Sequence, residues 1–180
     1  MSDNEVASGG SSPKLVSDSI SENDLTQTMM LGQSFLEEGD LKSAARAFLR
    51  CQRILRSSES HQNMRYDMVI QTVLARIKLH RGMYKEAQEA LNSILRGMDR
   101  NVNSRKGNTV ERWIAVSLLH QGQYEEAAKR FRSLLGTIDT NCLDHITTEI
   151  TIRRNLALAF TYQGIYGEAF SQIKGSATHR

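Results

Sequence analysis

The sequence predicts an all-α protein, an α-solenoid of about four stacked helix-turn-helix units. Four stretches repeat one pattern at a step of about 42 residues, and such a step is typical of repeat architectures. Each stretch holds an apolar residue followed by a small one, then a glycine, and then an alanine five residues after that glycine. One proline in 180 residues and a hydrophobic content of 39% also favour helices over other structure.

Each part of the repeat pattern has a structural reason. A glycine permits the left-handed backbone that ends a helix. The alanine lies where two helices cross, because a small side chain lets the backbones approach. The aromatic residue two positions after the glycine closes the end of the crossing, and the first unit has a leucine there. The repeat signature therefore consists of Gly39, Leu41, Ala44, Gly82, Tyr84, Ala87, Gly122, Tyr124, Ala127, Gly164, Tyr166 and Ala169.

Eight helices are expected, in four pairs. Ser21 is expected to cap the first helix, which ends near Glu38, and the turn at Gly39 leads into the second. The other pairs are expected at about 63–81 and 84–96, 109–121 and 124–135, and 143–163 and 166–174. Residues 1–20 are an acidic Ser/Gly-rich segment expected to be disordered, 21–174 form the repeat domain, and 175–180 are a flexible end.

Composition excludes several classes of protein. No apolar run is long enough for a membrane span, and the first residues lack the basic start and apolar stretch of a signal peptide. The net charge of +3 is too small and too dispersed to indicate a nucleic-acid partner. Cys51 and Cys142 are far apart and outside any Cys-x-x-Cys pair. We therefore expect a cytoplasmic or nuclear protein, not a secreted one.

The sequence contains no pattern typical of an active site. None of the five histidines stands in a zinc-binding motif, and there is no phosphate-binding loop or nucleophile elbow. Both cysteines are interpreted as structural residues. The expectation is a protein without enzymatic activity, cofactor or metal.

The four units resemble the tetratricopeptide repeat. The third unit carries the pattern well, with Ile114, Ala115, Gly122, Tyr124 and Ala127. The repeat step and the segment 155–164 are similar to the longer subclass found in kinesin light chains. The resemblance implies a right-handed α-solenoid in which the first helix of each unit lines a concave groove.

The same resemblance implies a set of groove residues. These are Gln33, Leu36, Glu37, Arg76, Leu79, His80, Arg112, Val116, Leu119, His120, Arg154, Leu158 and Tyr162. Three arginines and two histidines beside an apolar stripe would suit an acidic or carboxylate-ended peptide with apolar anchors. The alternative is that these charges form ordinary solvated helix faces. Trp113 is interpreted as a packing residue.

Two functions from different classes remain open. The first is an interaction scaffold or adaptor that binds a peptide segment of another protein in the groove. The second is a sensor or regulatory fragment of a larger signalling ATPase. The resemblance also implies a polar capping helix after the last repeat, and residues 175–180 are too short for one. The expectations that follow are a fragment of a longer protein, a partner over the open end, or self-association through the last repeat.

Overall fold

The computed structural model describes residues 17–57, 63–98, 104–138 and 145–177, and these residues form eight helices and no strand. The helices are α1 (Ser17–Glu37), α2 (Leu41–Ser57), α3 (Asn63–His80), α4 (Tyr84–Gly97), α5 (Ser104–His120), α6 (Tyr124–Leu135), α7 (His145–Tyr162) and α8 (Tyr166–Ala177). The predicted all-α helical-repeat fold is confirmed.

The chain divides into two compact units, Met1–Asn63 and Met64–Arg180. In the first unit, α1 packs against α2. In the second unit, each helix from α4 to α7 packs against the helix that follows it. In addition, α5 contacts α7, so the first helices of successive repeats are neighbours. The second unit therefore holds three stacked repeats.

The turns within the helix pairs are made by the signature glycines. Gly39, Gly82, Gly122 and Gly164 all have a φ of +77° to +80°. After Gly82 the N–H of Met83 donates to the carbonyl of Lys78 at 3.0 Å, and the last two pairs repeat this bond. This bond closes the end of the first helix around a left-handed residue, a conformation that costs a side chain free energy.

Gly122→Ala should therefore destabilise the fold by about 1 kcal/mol or more, because alanine is strained at a φ of +78°. Gly136 is the matched control, since it follows α6 with a φ of −72° that any residue adopts. Gly136→Ala should be neutral or slightly stabilising. Urea denaturation of the two variants measures the difference, and equal midpoints would contradict the role of the turn.

Small residues occupy the helix crossings as the pattern predicts. Ala75, Ala115 and Ala157 are buried on the first helices of their pairs, and Gly32 stands at this position in α1. A Cβ atom on Gly32 would lie 2.8 Å from the ring of Phe48. Ala75, Ala115 and Ala157 belong to the hydrophobic core of the second unit. Its largest fully buried side chains are Ile70, Ile77, Leu91, Val110, Ile114, Phe131, Leu156 and Phe160.

Three helix ends differ from the prediction. The described part of α1 begins at Ser17, so Ser21 lies inside the helix and is not its N-cap. Helix α5 begins at Ser104 rather than near Thr109, and α8 continues to Ala177. Apolar periodicity identifies only the part of a helix that packs against the core. It therefore does not detect polar turns at the ends of a helix. Of the predicted flexible segments, 1–16 and 178–180 lie outside the described residues.

Candidate functional site

Two of the predicted groove arginines meet at a tryptophan. The Cζ atom of Arg76, on α3, lies 4.7 Å from the centroid of the Trp113 ring on α5. The Cζ atom of Arg112 lies 5.4 Å from the same ring. Cation–π contacts of this kind stabilise a guanidinium by about 0.5–2 kcal/mol and fix its position. Trp113 therefore orients both cations, and it also packs against the core.

A cavity of about 230 Å³ lies beside this cluster, between α3 and α5. Its walls are mostly apolar, with charged groups only from the two arginines. The lining residues are Met68, Val69, Thr72, Val73, Arg76, Thr109, Val110, Arg112 and Trp113. An apolar cavity of about 150 Å³ holds a benzene molecule, so this one has room for a single large apolar side chain.

Both arginine side chains are partly desolvated by burial. Burial lowers the pKa of the Arg76 guanidinium below its usual value. Burial, and then repulsion from Arg76, does the same to the pKa of Arg112. The Nε atom of Arg76 is buried, and no described residue hydrogen-bonds to it. Within the described ranges neither arginine forms an ion pair, so the cluster lacks a carboxylate.

The remaining polar and apolar groove candidates of the second unit differ in exposure. Arg154 is exposed on α7, at the repeat position that Arg112 occupies on α5, and it is not among the residues lining the cavity. Val116 is half-buried against the core, and Leu158 is exposed. The surface formed by α3, α5 and α7, the first helices of the three repeats, therefore extends from the cavity along α5 towards α7.

Leu79 and Leu119 must be removed from the predicted groove. They are only 6% and 4% exposed and belong to the hydrophobic core of the second unit. In the last repeat the same position holds Thr161, which is exposed. Leucine stands at this position in the internal repeats because the side chain packs inside the stack and not against a ligand.

His120 and Tyr162 have a structural contact that sequence reasoning missed. The ring of Tyr84 stacks on that of His120 with centroids 5.0 Å apart and an angle of 5°. One repeat later, Tyr124 stacks on Tyr162 at 5.0 Å and 23°. Tyr84 and Tyr124 therefore each pack on the ring that ends the first helix of the next repeat. His80 is exposed.

The three groove candidates of the first unit lie on α1. Gln33 donates a hydrogen bond to Glu37 at 3.1 Å, and both side chains are exposed. Leu36 is half-buried. Gln33 and Glu37 therefore lie one turn apart on the exposed side of α1, and their assignment to a groove remains a prediction.

The described residues also bear on the chemistry of metal sites and of reactive cysteines. The described ranges contain no group of three side chains able to hold a metal ion. Burial raises the pKa of the Cys51 thiol to about 11, which makes it a poor nucleophile at neutral pH. Cys142 lies outside the described residues. None of the described helices is long and apolar enough to cross a membrane.

Comparison with known proteins agrees with this architecture. Residues 112–137 match the family model of the tetratricopeptide repeat. Among solved structures, two of a putative kinesin light chain with nearly identical repeats from Podosopora anserina are similar, both at 19% identity. Their TM-scores are 0.61 and 0.59, with 86% and 87% of this chain and 73% and 77% of those chains covered. MamA of MSR-1 is 18% identical, with a TM-score of 0.55 over 86% of this chain and 75% of that one.

No curated protein sequence matches this chain. The fold and the helix-turn-helix stacking define a helical-repeat protein. The segment 112–137, in the third unit, matches the tetratricopeptide repeat that the sequence was expected to resemble. At these identities the solved structures establish the fold alone.

Proposed function

We propose that this chain is a non-enzymatic scaffold or adaptor, and that its second unit binds a peptide segment of another protein on the surface of α3, α5 and α7. The observation that carries the proposal is the pair of desolvated arginines, Arg76 and Arg112, which contact Trp113 in the wall of an apolar cavity. A carboxylate supplied by a ligand would compensate both charges.

The ligand that fits this surface combines charge with an apolar anchor. One large apolar side chain would fill the cavity, and an acidic side chain or a terminal carboxylate beside it would pair with the arginines. Arg154 and Leu158 extend the surface on α7 and offer a third positive charge and a further apolar contact. Selectivity needs these contacts together, since one exposed ion pair contributes about 1 kcal/mol or less.

A displayed library of random peptides tests this function. Wild-type protein should enrich peptides that place an acidic residue or the carboxyl terminus next to a large apolar residue. The double variant Arg76→Gln, Arg112→Gln should lose that enrichment. The double variant Arg96→Gln, Lys129→Gln removes the same charge from exposed positions elsewhere in the unit and should retain it. Enrichment of basic peptides, or none at all, would contradict the proposal.

The proposal includes a location in the cytoplasm or the nucleus, which are the reducing compartments expected from the sequence. A role as the sensor part of a signalling ATPase would require a nucleotide-binding domain outside this chain, since the sequence has no phosphate-binding loop. No contact among the described residues favours that role over the scaffold.

A further inference from the structure

An exposed threonine shares the cavity with the two arginines. Thr109, on α5, lines the same cavity as Arg76 and Arg112, and it is exposed to solvent. It precedes Arg112 by three residues and Trp113 by four, so these side chains are neighbours on one side of the helix, with Cβ atoms about 5–6 Å apart. Arg76 contacts the ring of the same Trp113. A group attached to the hydroxyl of Thr109 would therefore lie beside both guanidinium groups.

The two arginines together match an anion with two negative charges. Among the residues that the structure describes, neither Arg76 nor Arg112 has a carboxylate partner. Glu111 is next to Arg112 in the sequence, but it forms an ion pair with Arg130 at 2.6 Å. One carboxylate would leave one of the two positive charges uncompensated. A phosphate monoester carries a charge of about −1.5 to −2 at neutral pH and three acceptor oxygens, so it can compensate both.

The sequence before Thr109 suits recognition by a protein kinase. Arg105 and Lys106 stand four and three residues before the threonine. Two cations at these positions complement a kinase whose substrate groove is acidic. The same part of α5 contains Gly107, and glycine favours a helix less than any residue except proline. The start of the helix can therefore open locally and present the hydroxyl.

We propose that Thr109 is a phosphorylation site whose phosphate group binds Arg76 and Arg112. A kinase would transfer the γ-phosphoryl group of ATP. A bond forms between Thr109 Oγ1 and the γ-phosphorus, the bond from that phosphorus to the oxygen of ADP breaks, and the hydroxyl proton passes to the base of the kinase. The bound phosphate occupies the place of the ligand's acidic group, so phosphorylation prevents peptide binding. This last consequence rests on the function proposed above.

The last repeat offers an internal comparison. Thr151 stands at the same repeat position on α7, and Arg154 follows it after three residues. Two threonines replace the preceding cations, and Val116 of α5 stands where α3 has Arg76. Thr151 therefore lacks both the basic residues that a kinase would recognise and the second arginine that would bind the phosphate.

A kinase reaction tests the modification itself. The full chain is incubated with ATP and a purified kinase that prefers basic substrates, and mass spectrometry locates the phosphate. Thr109 should be modified at least about tenfold faster than Thr151, and the double variant Arg105→Ala, Lys106→Ala should remove most of that preference. Modification of Thr109 that is no faster than that of Thr151 would overturn the proposal.

The full chain with phosphothreonine incorporated at position 109 tests the contact with the arginines. At neutral pH its melting temperature should exceed that of the unmodified chain by about 2–4 °C. Phosphorus NMR should show that the phosphate ionises at a lower pH than in the double variant Arg76→Gln, Arg112→Gln, because the two cations favour its dianion. Circular dichroism shows whether each protein is folded. A phosphate that ionises at the same pH in both proteins would contradict the contact.

Peptide binding tests the regulatory consequence. Phosphothreonine at position 109 should weaken binding of an acidic peptide selected by the wild-type protein by at least about 30-fold, and Thr109→Glu by about threefold or more. Ser133→Glu adds one negative charge at an exposed position of α6 and should change affinity by about twofold or less. Full affinity in the phosphorylated chain would refute the regulation and leave the proposed function standing. If no peptide binds but the phosphate still contacts the arginines, the proposed function fails and the phosphorylation site stands.

Discussion

Replacing Phe131 by alanine should lower the free energy of unfolding by about 3–5 kcal/mol. Its side chain is 0% exposed and belongs to the core that α5, α6 and α7 share. Truncation would leave a cavity where three helices meet. The cavity would remain open because the three helices cannot all move inwards to fill it. Domains of this size are stable by about 5–15 kcal/mol, so the loss is a large share of the total. Urea denaturation followed by circular dichroism measures it.

Phe170→Ala provides the control with the same chemical change. Phe170 is 60% exposed on α8, so its truncation should cost about 1 kcal/mol or less. Similar shifts for the two variants would mean that the core of the second unit is not organised around Phe131. A change in the slope of the transition for Phe131→Ala, without a change in its midpoint, would point to partial unfolding instead.

The repeat signature was predictable because it depends on local chemistry. A glycine at each turn and an alanine at each crossing have one structural role, and the φ values and the burial of these residues agree with it. Helix ends were less predictable, because the polar turns at Ser104 and Ala177 carry no apolar period.

The error at Leu79 and Leu119 had a signal in the sequence. The same repeat position holds leucine in the first three units and threonine only in the fourth. A residue that is apolar inside the array and polar in the last unit indicates packing between repeats. Assigning the groove by resemblance to a family overlooked this change.

The role of Trp113 could not be derived from sequence spacing. Arg112 precedes it directly, but Arg76 reaches it from another helix, across a distance that depends on how α3 and α5 stack. Side-chain direction at such a junction depends on crossing geometry rather than on periodicity. The arginines were found from repeat position, while their shared ring and the cavity required the structure.

Arg112→Glu should abolish binding of an acidic peptide selected by the wild-type protein, with a loss of about 100-fold or more. The substitution removes one cation and places a carboxylate where the ligand's acidic group would lie. It also offers Arg76 the partner that the described residues do not supply. The free energy of unfolding should therefore stay the same or rise by about 1 kcal/mol, because like-charge repulsion becomes attraction.

These opposite effects separate a binding defect from a folding defect. Arg112→Gln should bind the peptide about tenfold more weakly than wild type, which is a smaller loss than that of Arg112→Glu. Its remaining affinity should depend less on salt than that of wild type. Arg96→Glu makes the same charge reversal at an exposed position of α4 and should change affinity by about threefold or less. Isothermal titration with the selected peptide at two salt concentrations measures all four proteins. Full affinity in Arg112→Glu would rule out the arginine cluster as the binding site, because a carboxylate there cannot coexist with the ligand's own.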